Sequence, residues 1–148
     1  MYVFDTNVLS EITNRRPNAA VVAKLMACDP ALRFASEMTR YELRYGAALL
    51  PPENPMWQRI LDDVVPRFTW LPIDAAVSVC TAELMASLRR SGRMLDWADL
   101  FIAATALVHG KVVVTRNVRH FDRIDGLLVT IASPTGMWRA AKPKQTDA

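Results

Sequence analysis

Fifteen carboxylate side chains occur in this 148-residue chain, and three of them stand in apolar surroundings. Asp5 closes the run Tyr2, Val3, Phe4. Glu42 lies in TRYELRYGAALL, a stretch of helical spacing with Met38, Thr39, Tyr45 and Gly46 as its neighbours one turn away. Asp99 shares a helix face with Ile102, Ala103 and Ala106, at the three, four and seven spacing of a packed stripe. Burial disfavours a charged carboxylate, so each of these positions needs a partner or a purpose.

Each also has a plainer reading. Asp5 can cap the helix that follows it, although Thr6 or Asn7 can do the same work. Glu42 can pair with Arg40 or Arg44 at the surface. An acid in the first turn of a helix is ordinary, which accounts for Asp96 better than for Asp99, one turn further in. Asp96 is either that cap or a fourth carboxylate on the same side.

Taken together, the three acids point to one site. Carboxylates from three separate segments repel one another unless a cation lies between them. Oxygen ligands of that charge suit Mg²⁺ or Mn²⁺ better than Zn²⁺, which favours His and Cys. A divalent cation lowers the pKa of bound water and stabilises charge on a phosphate, so the chemistry indicated is phosphodiester hydrolysis. The segment TRNVRHFDRI adds Asn117, whose neutral oxygen can complete the shell directly or through water, and arginines that can meet phosphates. Asp96, Thr6, Thr115, Arg116 and His120 are secondary candidates, His120 having the plainer reading of a surface or interface histidine.

The elements that must position these residues follow from periodicity and punctuation. Strands are expected at Tyr2 to Asp5, Leu32 to Ser36, Phe68 to Leu71, Lys111 to Thr115 and Leu127 to Ile131. Helices are expected from Val8 to Ile12, from an Asn18 cap to about Cys28, from Thr39 to Leu50, from Pro55 to Val65, from Asp74 to Arg90 and from Asp96 to His109. Pro51 and Pro52 stop one helix, and Gly92 and Gly110 end two others. Strands alternating with helices predict an α/β domain, a three-layer sandwich on a mainly parallel sheet, with the site beyond the carboxyl ends of the strands. Residues 1–138 read as one domain and 139–148 as a flexible polar tail.

Composition narrows the function classes. Half of the residues are apolar, enough for a substantial core, so this is not a disordered adaptor. Of the net charge of +3, the last ten residues supply +2, through three basic side chains and one acid. The body is therefore close to neutral, and nucleic acid would have to be met by a local patch or a metal. Arg15, Arg16, Arg40, Arg44, Arg89, Arg90 and Arg93 are each simply solvated or build such a patch. Cys28 and Cys80 show no metal or redox spacing and read as thiols of a reducing compartment. With a strand expected from the first residues and no apolar run of membrane length, a cytoplasmic location with no membrane partner is expected.

MYVFDTNVLSE, TRYELRYGAALL, ADLFIAATALVHG and VVVTRNVRHFD, in that order, resemble the motifs of PIN-domain ribonucleases of the VapC type, toxins of bacterial toxin–antitoxin pairs. The resemblance runs from Met1 to about Ile131. It implies a sandwich with the first strand central, and places the family's metal-binding acids on Asp5, Glu42 and Asp99. At the family's fourth acidic position the chain departs: Asn117 follows the Thr-Arg pair and His120 stands three residues on, with Asp122 two further. One carboxylate fewer weakens affinity for a second cation. The resemblance further implies cleavage of structured RNA, transfer RNA included, and a homodimer joined through helices next to the site. It implies silencing by a VapB-type antitoxin, with operator DNA bound only through that antitoxin. Two other classes compete: a PIN module that binds RNA or serves a repressor complex without turnover, and a phosphatase or receiver domain. The latter wants a second acid beside or two after the first, where Thr6 and Asn7 stand.

Overall fold

The computed structural model describes residues 1–132; the expected end of the domain at 138 and the tail from 139 lie outside the described residues. Five strands, β1 (Tyr2–Phe4), β2 (Arg33–Ser36), β3 (Thr69–Leu71), β4 (Val112–Thr115) and β5 (Val129–Ile131), form one sheet in the order β3-β2-β1-β4-β5. All neighbouring pairs are parallel, with Val3 opposite both Phe34 and Val113. The first strand is central, as the resemblance implied.

This order follows from the handedness of strand–helix–strand crossovers. From β1 the chain steps outward to β2 and β3, and the connecting helices α1 (Thr6–Leu9), α2 (Ala19–Ala27), α3 (Glu37–Ala48) and α4 (Met56–Asp63) supply one layer. It then crosses back to β4 and β5 through α5 (Ala75–Arg90), α6 (Trp97–Val108) and α7 (Val118–Phe121), which supply the other. Alternation along the strands separates two cores. Phe4 and Val114 pack with Val8, Leu25, Leu43 and Ile60 on one face, while Val3 and Val113 pack with Ile102, Ala106 and Phe121 on the other. The direction of travel reverses between β1 and β4, and the crevice beyond their carboxyl ends is where a parallel sheet offers a site.

α6 is apolar almost all round because it is covered twice, by the sheet and by α5. Its alanines permit that close packing. Gly92 and Gly110 end α5 and α6 with φ of 68° and 58°, the left-handed conformation expected of a helix-ending glycine.

Several boundaries differ from expectation. α1 begins at Thr6, directly after Asp5, and passes into a tighter 3-10 turn at Ser10–Ile12. α3 begins two residues early because Ser36 caps it, accepting from the Met38 amide at 3.1 Å. The last strand begins at Val129, since Gly126 with φ of 77° and the bond from Leu127 N–H to the Ile124 carbonyl hold the preceding residues in a turn. The sequence gives no sign of α7, because its four residues are too few to show a helical period. Cys28 and Cys80 are free and half-buried. Among the described residues no helix is long and apolar enough to cross a membrane.

Candidate active site

Asp5 emerges from β1 at the reversal point. Its backbone N–H donates to the Val114 carbonyl at 2.9 Å, extending the β1–β4 ladder by one bond, while its own carbonyl accepts from Val8 at the start of α1. The residue is 5% exposed. Its two carboxylate oxygens have different jobs: Oδ1 accepts from the Thr6 amide at 2.7 Å, and Oδ2 accepts from the Thr115 hydroxyl at 2.8 Å. Asp5 is thus itself the cap of α1, and the expectation that Thr6 or Asn7 would take over that work is corrected. Capping does not remove Asp5 from the pocket, which it lines.

Thr6 and Asn7 are turned to other tasks. The Thr6 hydroxyl donates to Oε1 of Glu42 at 2.6 Å and lies 3.2 Å from the Thr39 hydroxyl. Asn7 donates to Thr115 Oγ1 at 3.3 Å and accepts from the Arg116 amide at 3.2 Å. Thr115 therefore gives its proton to Asp5 while accepting from Asn7 and, at 3.0 Å, from the Asn117 amide.

Glu42 is half-buried on α3 and pairs with neither arginine suggested by the sequence: Arg40 is engaged by Glu37 and stacks on Trp70, and Arg44 lies over Trp57. Asp99 is half-buried on α6, its Oδ2 2.8 Å from Nδ1 of His120. The other ring nitrogen of His120 lies 2.8 Å from Nδ2 of Asn117. Asp96 accepts from the Ala98 amide at 2.9 Å as the cap of α6 and also lines the pocket, while the acid in the first turn of α6 is Asp99, a correction to the expectation that Asp99 stands a turn further in.

Asp5, Glu42, Asp96, Asp99, Asn117 and His120 share one pocket of about 370 Å³, completed by Thr6, Asn7, Ser10 and Ala98. No lysine or arginine is among these lining residues. Arg116, a secondary candidate for phosphate contact, is not among them either. Its guanidinium is held by Glu11, a buried acid whose Oε2 also accepts from the Asn18 amide at 2.7 Å. Asp122 is exposed and outside the lining. The sequence offers Asn7 only as an alternative helix cap and gives no sign of Ser10 or Glu11, because a polar turn directly after a buried aspartate is too common a pattern to stand alone.

The electrostatics match this lining. Burial, reinforced by the charges of Asp99 and Glu42, pushes the Asp5 carboxyl up to about 6, against the opposing hydrogen bonds from Thr115 and Thr6. Burial also raises Glu42, aided by Asp99 and Asp96 and opposed by Thr6. Asp99 is raised by burial and by Asp96, against the pull of His120. Among the described residues no three His, Cys, Asp or Glu side chains close on a common point as a metal cage would. The acids instead line the walls of one pocket. The acids' oxygen donors, their mutual repulsion and the lack of a lysine or arginine among the described residues of that lining fit a hard divalent cation.

A second, largely apolar pocket of about 320 Å³ adjoins the first. Leu43, Ala47, Leu50, Met56 and Ile60 line it, and the two pockets share Thr6, Ser10 and Glu42.

A parallel sheet with acids gathered beyond its central strands defines an α/β class with a carboxylate-lined site, and comparison with known proteins narrows it. The PIN domain family matches residues 2–127. The chain is 38% identical over 127 residues to VapC ribonuclease Y4jK of Sinorhizobium fredii, covering 82% of this chain and 91% of that protein. It is 31% identical over 128 residues to the tRNA(fMet)-specific endonuclease VapC of Shigella flexneri, covering 85% and 93%. In three dimensions it resembles the DNA-bound VapBC structure from Salmonella typhimurium, with a TM-score of 0.79, 27% identity, and coverage of 89% of this chain and 98% of that one. The chain belongs to the PIN-domain family, in its VapC-type branch.

Proposed function

We propose that the protein is a Mg²⁺-dependent endoribonuclease toxin that hydrolyses RNA phosphodiester bonds and is inhibited by a cognate VapB-type antitoxin. The observation that carries this reading is the meeting of Asp5, Glu42 and Asp99 in one pocket, each carboxyl raised by burial, with no lysine or arginine among the described residues of the lining. Asp5, Glu42 and Asp99 would hold Mg²⁺, for which Mn²⁺ can substitute, with Asn117 contributing its amide oxygen directly or through water. When bound, the cation supplies a water of lowered pKa for in-line attack and offsets the charge that builds on the phosphate.

The protein's own part is to keep the carboxylates aligned and unprotonated for that role. Thr115 and the Thr6 amide fix both oxygens of Asp5 and favour its charged form, and the Thr6 hydroxyl does the same for Glu42. Ser36 and Thr105, 3.1 Å apart, link the start of α3 to α6, the two helices that carry Glu42 and Asp99.

Other parts of the reading have their own support. The apolar pocket beside the carboxylates suits an antitoxin segment with apolar side chains, and the VapBC name of the Salmonella complex favours a VapB-type partner. Operator DNA would be contacted through that antitoxin. The Shigella relative's name favours transfer RNA within the substrate class. Exposed Tyr41 and Tyr45 on α3 and Val79 and Met85 on α5 suit a homodimer joined through helices near the site. A cytoplasmic location fits both substrate and partner.

The test is cleavage of structured RNA by the purified, antitoxin-free chain in Mg²⁺, with and without chelator, followed by addition of the antitoxin. Cleavage that chelator and antitoxin each stop supports the proposal. RNA binding without any cleavage would favour the non-catalytic module instead.

A further inference from the structure

We propose that His120 is a positioning residue, holding Asp99 and Asn117 in the orientations the pocket uses. This rests on the metal-site reading above and adds to it a part played through hydrogen-bond polarity.

Asn117 precedes α7 at the position where an asparagine ordinarily caps a helix, yet its side chain makes no cap bond. Its amide instead meets His120, with Nδ2 2.8 Å from Nε2. An amide nitrogen has only protons to give, so Nε2 of the neutral ring is the acceptor. The ring proton is then on Nδ1, which lies 2.8 Å from Oδ2 of Asp99 and donates to it. The chain of bonds runs one way, from Asn117 through His120 to Asp99. It engages Oδ2 of Asp99 and, among the described residues, leaves Oδ1 as that residue's open acceptor, and it fixes the Asn117 amide with its carbonyl oxygen as the uncommitted end.

The ring is placed by the fold. α7 is anchored by Phe121, which is fully buried against Val3, Val113 and Ile102, while His120 itself remains half-exposed at the pocket edge. Without the ring, Asp99 loses a donor and Asn117 is free to rotate about its last torsion. Second partners of this kind orient ligands to a metal, and their loss typically weakens metal affinity about 10- to 100-fold.

The experiment has two arms. In the first, long-range ¹H–¹⁵N correlation spectra of the metal-free protein locate the ring proton. His120, told apart from His109 by substitution, is expected to carry its proton on Nδ1, the minor form of a free imidazole. In the second arm, Mn²⁺ binding is measured by calorimetry on folded variants checked by thermal melting. His120→Ala is expected to weaken binding about 10- to 100-fold. His120→Asn, whose amide nitrogen overlays Nδ1 and so keeps the bond to Asp99, restores most of it, whereas His120→Gln, which overlays Nε2, does not. A proton on Nε2, or His120→Ala binding Mn²⁺ as tightly as the wild type, overturns the positioning role while leaving the metal site standing. A wild-type protein that binds no Mn²⁺ overturns both.

Discussion

Thr115 and Asp5, 110 positions apart in the chain, are joined by a hydroxyl-to-carboxylate hydrogen bond of 2.8 Å at the ends of β4 and β1, the neighbouring strands between which the order of strand addition reverses. Thr115 spends its single proton on Asp5 and receives bonds from Asn7 and the Asn117 amide, so one hydroxyl ties together both sides of the crevice.

Removing that hydroxyl has two separable effects. In Thr115→Val, Asp5 loses a bond that favours its charged form, so its pKa climbs above about 6 and the acid limb of the pH–rate profile moves to higher pH. The same change leaves the Asn7 amide and the Asn117 N–H without their acceptor, at a cost of about 1–3 kcal/mol in urea denaturation. Profiles and denaturation curves recorded on the same preparation check both.

Asp5 makes the metal-free protein's stability fall with rising pH. Its pKa is higher folded, at about 6, than the ordinary 3.8, so the folded state holds the proton more tightly than the unfolded chain does. The resulting contribution is fully present below the unfolded value and is lost as pH rises through about 6. Its size is on the order of 2–3 kcal/mol. Asp5→Asn, which removes the charge, is expected to stabilise the metal-free protein by about 1–2 kcal/mol at neutral pH and to flatten this dependence. Denaturation of both proteins at acid and neutral pH, in chelator, measures the difference.

Ser36 supports the spacing between the helices that carry Glu42 and Asp99. The Thr105 hydroxyl donates to the Phe101 carbonyl at 2.7 Å, so in the buried Ser36–Thr105 pair the donor must be Ser36. Ser36 meanwhile accepts from the Met38 amide as the cap of α3. Ser36→Ala removes a cap and a buried donor together and is expected to cost about 1–2 kcal/mol of stability. Because the packing of α3 against α6 is disturbed as well, RNA cleavage per folded molecule should fall too, read by comparing rates below the variant's unfolding transition.

The sequence made Asp5, Glu42 and Asp99 legible because a charge in an apolar stripe is conspicuous on one element alone. Alternating strands and helices made the layered sheet legible for the same reason: periodicity is local. What was missed depends on residues distant in the chain or on elements too short for a period. Arg116 looked like a phosphate ligand until the fold set it against Glu11, 105 residues away. The link from Asn117 to His120 needs α7, whose four residues carry no pattern, and the Ser36–Thr105 bond spans 69 residues. At Asp5 the sequence offers a cap and a site residue as alternatives, whereas the fold lets the same side chain cap α1 and line the pocket.

The most direct test of the central claim, that three carboxylates from three elements form one metal-dependent nuclease site, is the rate of RNA cleavage against Mg²⁺ concentration. It should be measured for the wild type and for Asp5→Asn, Glu42→Gln and Asp99→Asn, each shown to be folded by its melting transition. The account predicts cleavage that saturates with Mg²⁺ in the wild type and is lost by at least about two orders of magnitude in each variant, as expected when charge stabilisation in the transition state is removed. Cleavage by Asp5→Asn at the wild-type rate, or wild-type cleavage undiminished by chelator, would contradict it.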